Sequence, residues 1–248
     1  MVDFPMKERY TYQDLLEIMR ILRAPGGCVW DGEQTHESIR KDFLEETYEA
    51  CEAIDEKSPE HLCEELGDVL LQVVFHAEIS QEAGEFSMDE VCDGICKKLI
   101  YRHPHVFGDV KVSSSEEVLQ NWDALKRVEK SQRTDTETLQ AVAKSLPALW
   151  RAQKLQHKAA KLGVRTTQEA ACAYLQSCVS DLAAANSENV GTLLGDLLFA
   201  AAGFADLSSL DSEAVLTAAS ERFLSRFAEA DAAANTTDRA MELLQPKH

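Results

Sequence analysis

Five acidic side chains stand at spacings that suit a metal site: Glu45, Glu46 and Glu49 in one segment, then Glu65 and Asp68 in the next. On a helix, residues three or four positions apart share one face. If the two segments form helices that pack antiparallel, the carboxylates converge. Such a cluster would repel itself and raise its own pKa values unless a divalent cation neutralised it. Oxygen-only ligands favour hard ions such as Mg²⁺ or Mn²⁺.

The competing interpretation is a pair of solvated acidic helix faces. The chain holds 43 acidic residues, and in such a chain an isolated E-E-x-x-E string is usually surface. However, Asp68 lies within the apolar run 66–71, where an unpaired buried carboxylate would be costly. Glu49 adjoins the apolar stripe of its own segment. Spacing alone therefore leaves both interpretations open.

Helical periodicity dominates the chain, and strand signals are scarce. We expect a short extended piece at most, at Val110–Val112. The predicted helices of the first half cover 12–22, 38–56, 59–83, 87–103 and 116–130. Ser58 and Pro59 should begin the third of these, as N-cap and first helical residue, and Gly84 should end it.

The second predicted helix, 38–56, should carry carboxylates beside an apolar stripe. The residues expected to face inward are Ile39, Phe43, Leu44, Ala50 and Ile54.

The second half of the chain repeats the first. The string Leu66-Gly67-Asp68-Val69-Leu70 recurs 128 residues later as Leu194-Gly195-Asp196-Leu197-Leu198. Two copies of a four-helix unit explain this economically. The polar segment after residue 130 has no apolar period and is the best linker candidate. We therefore predict an all-α protein with tandem four-helix domains: a catalytic domain at 1–130, a linker at 131–139 and a second domain at 140–248.

The second copy has lost most of the acids. Its alignment sets Ser177, Cys178 and Asp181 opposite Glu45, Glu46 and Glu49, and sets Leu193 and Asp196 opposite Glu65 and Asp68. Two acids at most remain, which is too few for a stable Mg²⁺ site. We expect this half to keep its fold and to serve dimerisation, stabilisation or regulation.

Composition limits the partners. Acidic residues outnumber basic ones by 43 to 25, for a net charge of −18. A polynucleotide or an anionic membrane surface is disfavoured, because binding to either depends on Lys and Arg. Most of the seven cysteines follow helical patterns, and the N-terminus shows no signal region. The most apolar run, Val69–Phe75, is too short to span a bilayer. We expect a cytoplasmic protein with reduced thiols.

The motifs, taken in order, closely resemble the MazG family. They extend over about residues 10–130 and are jointly specific. Besides the two acidic strings, they are Gly26-Gly27-Cys28-Val29-Trp30-Asp31, Gln34-Thr35-His36, Lys98, the run from Arg102 to Asp109, and Asn121-Trp122. The resemblance implies an all-α nucleoside triphosphate (NTP) pyrophosphatase that depends on Mg²⁺ and forms a homodimer. One departure is Val29, where the family usually has proline.

The resemblance also implies a reaction: NTP and water give a nucleoside monophosphate and pyrophosphate. The implied metal ligands are Glu46, Glu49, Glu65 and Asp68, while Glu45 would hold a second ion or orient the attacking water.

The resemblance further assigns residues to the substrate. Lys98 and Arg102 match the family's phosphate-binding pair, although by spacing alone they could be a surface pair near a helix end. Trp30 and Trp122 are candidate platforms for stacking the base, although a tryptophan beside a helix is more often a core residue.

Two other functions remain open at this stage. One is a nucleotide-sensing or scaffold protein in which both copies are catalytically silent. The intact acids of the first copy argue against it. The other is a phosphoribosyl-ATP pyrophosphatase, which the tandem arrangement and the Trp30 loop fit less well.

Overall fold

The computed structural model describes residues 4–129, 131 and 133–232, and all regular structure within them is helical. The all-α prediction is confirmed. No strand forms at Val110–Val112. The helices are α1 Tyr12–Arg23, α2 Val29–Glu33, α3 Arg40–Glu56, α4 Pro59–Glu82, α5 Met88–Arg102, α6 Pro104–Phe107, α7 Ser115–Glu129, α8 Asp135–Gln140, α9 Ala148–Lys161, α10 Gln168–Ala183, α11 Val190–Leu207 and α12 Ser212–Ala232.

The chain divides into two compact units, Met1–Trp122 and Asp123–His248. The division lies inside α7, before the predicted boundary at residue 130. The predicted linker, 131–139, also contains the start of α8, because Thr134 and Glu137 form a reciprocal capping box there. A polar segment without an apolar period can thus begin a helix. The domain boundaries proposed from the sequence stay a prediction.

Helix α4 begins and ends where the sequence predicts. The Ser58 hydroxyl accepts a hydrogen bond from the backbone N–H of His61, and Pro59 occupies the first turn. After the helix, Gly84 adopts a positive φ of 70°, which lets the chain leave without strain. Side-chain capping also starts α5, where Ser87 and Glu90 form a capping box.

The core of the first unit is built mainly from α1 and α4. Met19, Ile39, Val74 and Phe75 are its most buried side chains, and Leu15, Leu16, Leu71 and Ile79 pack around them.

Helix α3 presents a different face from the one expected. Ile39, at its N-cap, and Ala50 are buried, but Leu44 is 47% exposed and Ile54 57% exposed, so their inward assignment was wrong. The inward row is Glu46, Ala50 and Ala53, which follow one another at helical spacing. Small alanines let α3 approach α4 closely, and this close packing, rather than the apolar count, sets the phase of the helix. As a result Glu46 points towards α4.

The second unit repeats the burial pattern of the first. Buried positions of α4 recur in α11 at the offset of the sequence repeat: Gln72, Val74, Phe75 and Ala77 correspond to Ala200, Ala202, Gly203 and Ala205. This agreement supports the predicted repeat at the level of packing.

Helix α11 also has the length and composition of a membrane span, a criterion that many core helices of globular proteins meet as well. It is longer than the apolar run 69–75 of α4. In the structure α11 packs against α9 and α10.

Asp14 should make the stability of the first unit dependent on acid pH. A hydrogen bond from Lys7, followed by hydrogen bonds from the backbone and side chain of Thr11, lowers the pKa of Asp14. In the unfolded chain an aspartate has a pKa of about 3.9. The folded state therefore binds fewer protons in acid, and the stabilisation is complete above the unfolded pKa and is lost as the pH falls through the folded pKa.

Asp14→Asn should flatten this acid dependence, and Lys7→Ala should flatten part of it. The measurement is the midpoint of urea unfolding, monitored by circular dichroism at a series of acid pH values. Equal acid slopes for the wild type and Asp14→Asn would contradict the assignment.

Candidate metal centre

Three glutamates converge between α3 and α4. Glu46 and Glu49 come from α3, Glu65 comes from α4, and one carboxylate oxygen of each lies within 4.8 Å of the others. Glu49 is exposed, Glu46 is half-buried, and Glu65 is only 9% exposed. The structure thus brings together three of the four metal ligands expected from the sequence.

The charges in this cluster act on one another. The pKa of Glu46 is raised, first by burial and then by the negative charges of Asp68, Glu49 and Glu65, and a hydrogen bond that protonated Glu46 donates to Glu49 adds to the effect. Like charges held this close raise one another's pKa values unless a cation neutralises them. The electrostatics therefore favour a bound cation.

Asp68 and Glu45 lie outside the three-residue group. Asp68 is partly buried on α4, near enough for its charge to act on Glu46. Glu45 is exposed on α3. Their roles, as ligand and as holder of a second ion or of water, stay predictions.

The donor set fits a hard divalent cation. All the converging atoms are carboxylate oxygens, without sulfur or nitrogen, and oxygen ligands are those preferred by Mg²⁺, Mn²⁺ and Ca²⁺. Each ligand in the group lies on a helix, so the backbone beneath the site is regular and hydrogen-bonded. Repulsion between the carboxylates then limits how closely the side chains approach one another, and a bound cation would remove that repulsion.

His61 is a neighbour of the cluster that the sequence analysis missed. Its Nε2 lies 3.2 Å from Oε1 of Glu65, and its Nδ1 lies 2.8 Å from Oε2 of Glu56. The hydrogen bond with Glu56 is the largest cause of a raised pKa for His61. The available signal was the four-residue spacing between His61 and Glu65, which places both on one face of α4.

The two predicted phosphate-binding residues differ in their surroundings. Lys98 is exposed on α5, whereas Arg102, at the end of the same helix, is 7% exposed. The Arg102 guanidinium lies 5.2 Å from the ring centre of Trp122. The ring of His103 meets that of Trp122 edge-on, at 4.9 Å between centres. Arg102 is thus held by an aromatic contact.

Trp30 and Trp122 also differ from one another. Trp30 lies on the short helix α2 with its side chain 57% exposed, so it does not fill the core. Trp122 is partly buried and packs against Arg102 and His103. An exposed indole can stack a planar ligand, which keeps the platform role open for Trp30.

The corresponding place in the second unit holds different chemistry. Cys178, which aligns with Glu46, is buried on α10, and its hydrogen bond with Tyr174 is the largest cause of a raised pKa for that tyrosine. Asp181 and Asp196 are exposed. No cluster of potential metal ligands forms among the described residues of this unit.

Comparison with known proteins decides the family. The model of the MazG nucleotide pyrophosphohydrolase domain matches residues 34–107, a range that contains all five acids of the two motifs. The nucleoside triphosphate pyrophosphohydrolase of Escherichia coli is 39% identical over 230 residues, covering 88% of this chain and 86% of its own length. The chain belongs to the MazG family.

Two further relatives extend the comparison. "Uncharacterized protein YabN" of Bacillus subtilis is 41% identical over 233 residues; the match covers 90% of this chain and 47% of YabN, so the chain spans about half the length of that relative. The crystal structure of a mazG-related protein from Thermotoga maritima aligns with 46% of this chain and 98% of its own, at 28% identity and a TM-score of 0.40.

Divalent metal should stabilise the first unit through the three converging glutamates. Mg²⁺ or Mn²⁺ at about 100 times its Kd should add roughly 2.7 kcal/mol to the free energy of unfolding and raise the thermal midpoint accordingly. Glu49→Gln should remove most of this shift without lowering the metal-free midpoint, since it removes a repelling charge.

The matched control is Asp196→Asn, which changes an acid of the aligned helix in the second unit and should keep the full metal shift. Differential scanning calorimetry with and without metal measures both variants. A Glu49→Gln protein that still responds to metal like the wild type would exclude this site.

Proposed function

We propose that this chain hydrolyses nucleoside triphosphates to a nucleoside monophosphate and pyrophosphate, with Mg²⁺, or alternatively Mn²⁺, held in the first unit. The observation that carries the proposal is the convergence of Glu46, Glu49 and Glu65 within the segment that matches the MazG domain. The naming of several relatives as nucleoside triphosphate pyrophosphohydrolases supports it.

Glu46, Glu49, Glu65 and Asp68 would hold the metal. When bound, Mg²⁺ would polarise the α-phosphoryl oxygens and lower the pKa of a bound water. Glu45 lies on the same helix as Glu46 and is exposed, so its carboxylate is free to hold a second ion or to accept a hydrogen bond from the attacking water. Water then attacks the α-phosphorus in line, and pyrophosphate leaves.

Lys98 and Arg102 would bind the phosphate chain from α5. The proposal is stronger for Lys98, because its ammonium lies in solvent and can move onto a phosphate oxygen. Arg102 is held against Trp122, where it could present its guanidinium from a fixed position. Trp30, or the exposed edge of Trp122, would stack the base.

The partners that we propose follow from composition and surface. The net charge of −18 favours a small anionic substrate neutralised by metal over a polynucleotide or an anionic membrane. All seven cysteines are free thiols, which agrees with a cytoplasmic, reducing setting. Exposed Leu66 and Leu70 on α4, and Leu44 and Tyr48 on α3, offer apolar area for a second copy, in support of a homodimer.

The products distinguish this reaction from other phosphohydrolases. Incubation with each common NTP and dNTP and Mg²⁺ should give monophosphate and pyrophosphate in equal amounts. In H₂¹⁸O the label should enter the monophosphate, because water attacks the α-phosphorus. Glu49→Ala should abolish turnover, whereas Asp196→Ala in the second unit should leave it nearly unchanged. Release of orthophosphate would refute the reaction, and label found in pyrophosphate would refute the point of attack.

Lys98 should act on substrate binding through its charge. Lys98→Ala should raise the KM for the NTP about tenfold or more, since a charge-assisted hydrogen bond contributes roughly 1.5–3 kcal/mol. Lys97→Ala is the matched control, because Lys97 neighbours Lys98 on α5 but pairs with Asp93 at 2.6 Å. Steady-state kinetics over a range of NTP concentrations measures both. An equal rise of KM in the two variants would show a general effect of charge and exclude a specific role for Lys98.

A further inference from the structure

One guanidinium links three parts of the first unit. Arg23 is the last residue of α1, and its side chain is only 4% exposed. Its Nε and Nη2 donate to the two carboxylate oxygens of Glu82, the last residue of α4, at 2.9 and 2.7 Å. Its Nη1 donates to the backbone carbonyl oxygens of Asp31 and Gln34, at 2.5 and 3.2 Å. Arg23 therefore ties the ends of α1 and α4 to residues 29–34, which we call the Trp30 segment.

The burial of Arg23 is compensated on every side. A charged group removed from water is costly unless it is paired and hydrogen-bonded. The two parallel hydrogen bonds to Glu82 supply a bidentate ion pair, and the ring centre of Phe75 lies 5.3 Å from the guanidinium carbon. The remaining nitrogen reaches backbone carbonyls near the C-terminal end of α2, where a cation is favourable. These acceptors are main-chain atoms, so Arg23 holds the path of the segment itself.

The Trp30 segment has little else to hold it. Helix α2 has five residues and buries none of them, and a helix this short is unstable in water by itself. Val29 is 77% exposed and Trp30 57% exposed, so neither side chain anchors the segment in the core. Before α2, the backbone N–H of Cys28 donates to the carbonyl of Leu22 at 2.7 Å, which fixes where the segment starts. Arg23 fixes where it ends.

Gln34 connects Arg23 to Trp30. The Gln34 carbonyl accepts from Arg23, and the side-chain amide of Gln34 donates to the carbonyl of Trp30 at 2.8 Å. The Ser38 hydroxyl donates to the other end of the same amide, also at 2.8 Å, which orients it. A displacement of the guanidinium would therefore reach the backbone of Trp30 through Gln34.

We propose that Arg23 is a positioning residue for the nucleobase of the substrate: it fixes the Trp30 segment so that the exposed indole is in place before the base arrives. This inference rests on the proposed function, because it takes Trp30 as the platform on which the base stacks. A buried anchor for an element without buried side chains adds little to the core. An indole held still in solvent, by contrast, lowers the entropy cost of stacking a planar ligand.

¹⁹F NMR of the whole chain, labelled with 5-fluorotryptophan, tests the positioning without substrate. The three tryptophans should give three signals, and that of Trp30 is assigned by its loss in Trp30→Phe. Arg23→Lys keeps the charge but loses the planar fork, so it cannot hold Glu82 and both carbonyls together. It should shift or broaden the Trp30 signal and leave the signals of Trp122 and Trp150 in place.

The matched control is Arg20→Lys. Arg20 also lies in the last turn of α1 and pairs with a glutamate, Glu17 at 2.7 Å, but its side chain is 61% exposed. This variant should leave all three signals unchanged. Glu82→Gln, which removes only the charge of the partner, should displace the Trp30 signal as Arg23→Lys does, and it decides alone if Arg23→Lys does not fold. A Trp30 signal that stays in place would overturn the proposal, and so would an equal displacement of all three signals.

Steady-state kinetics tests whether Arg23 acts on the base. Ribose 5′-triphosphate offers the same α-phosphorus without a base. Trp30→Ala should raise the KM for an NTP about 5–150-fold, the usual range for the loss of one base-stacking contact, and Arg23→Lys about fivefold. The KM for ribose 5′-triphosphate should not change. Because Arg23 acts through Trp30, adding Arg23→Lys to Trp30→Ala should raise the KM no further. An equal rise for both substrates, or additive effects in the double variant, would overturn the proposal.

The test can fail separately from the proposed function. If the wild type hydrolysed neither triphosphate, the function would be refuted, and the ¹⁹F signal of Trp30 would still decide whether Arg23 holds the segment. Hydrolysis by the wild type, together with an effect of Arg23→Lys that does not depend on the base, would refute the role of Arg23 alone.

Discussion

The close packing of α3 against α4 is the constraint on which the first unit depends. Ala50 and Ala53 give α3 a flat inward face, and Glu46 lies on the same face one turn before Ala50. The approach that buries the alanines also forces Glu46 towards Glu65. Apolar burial therefore supplies the free energy that holds like charges together, and a bound cation would remove the remaining repulsion. The same interface between α3 and α4 therefore stabilises the first unit and positions the candidate metal site.

Local rules predicted much of this structure. Helix starts were readable because Ser58 and Ser87 are N-caps with specific hydrogen bonds, and stops were readable from Gly84 and Pro104. The three converging glutamates were predictable for a similar reason, since spacing of three or four residues fixes a shared helix face.

What the sequence could not predict depended on packing between elements. Leu44 and Ile54 are apolar, yet small side chains form the inward face of α3. A prediction from apolar periodicity favours large apolar residues and so gives alanine too little weight. The contacts of His61 were not predictable from spacing alone, because one of them crosses from α4 to Glu56 at the end of α3. The polarity of residues 131–139 favours a linker, yet Thr134 and Glu137 use polar groups to start a helix there. The domain boundary itself stays a prediction.

The second unit shows what the same scaffold becomes when its acids are replaced. Cys178 stands where the first unit has Glu46, and Leu193 stands where it has Glu65. Further along, Ala200 occupies the position of Gln72, and Phe204 that of His76. The last three exchanges remove polar groups from α11, the helix that aligns with α4. The membrane-like composition of α11 therefore arises where α4 has polar side chains: at the positions of Glu65, Gln72 and His76 the aligned helix carries apolar residues.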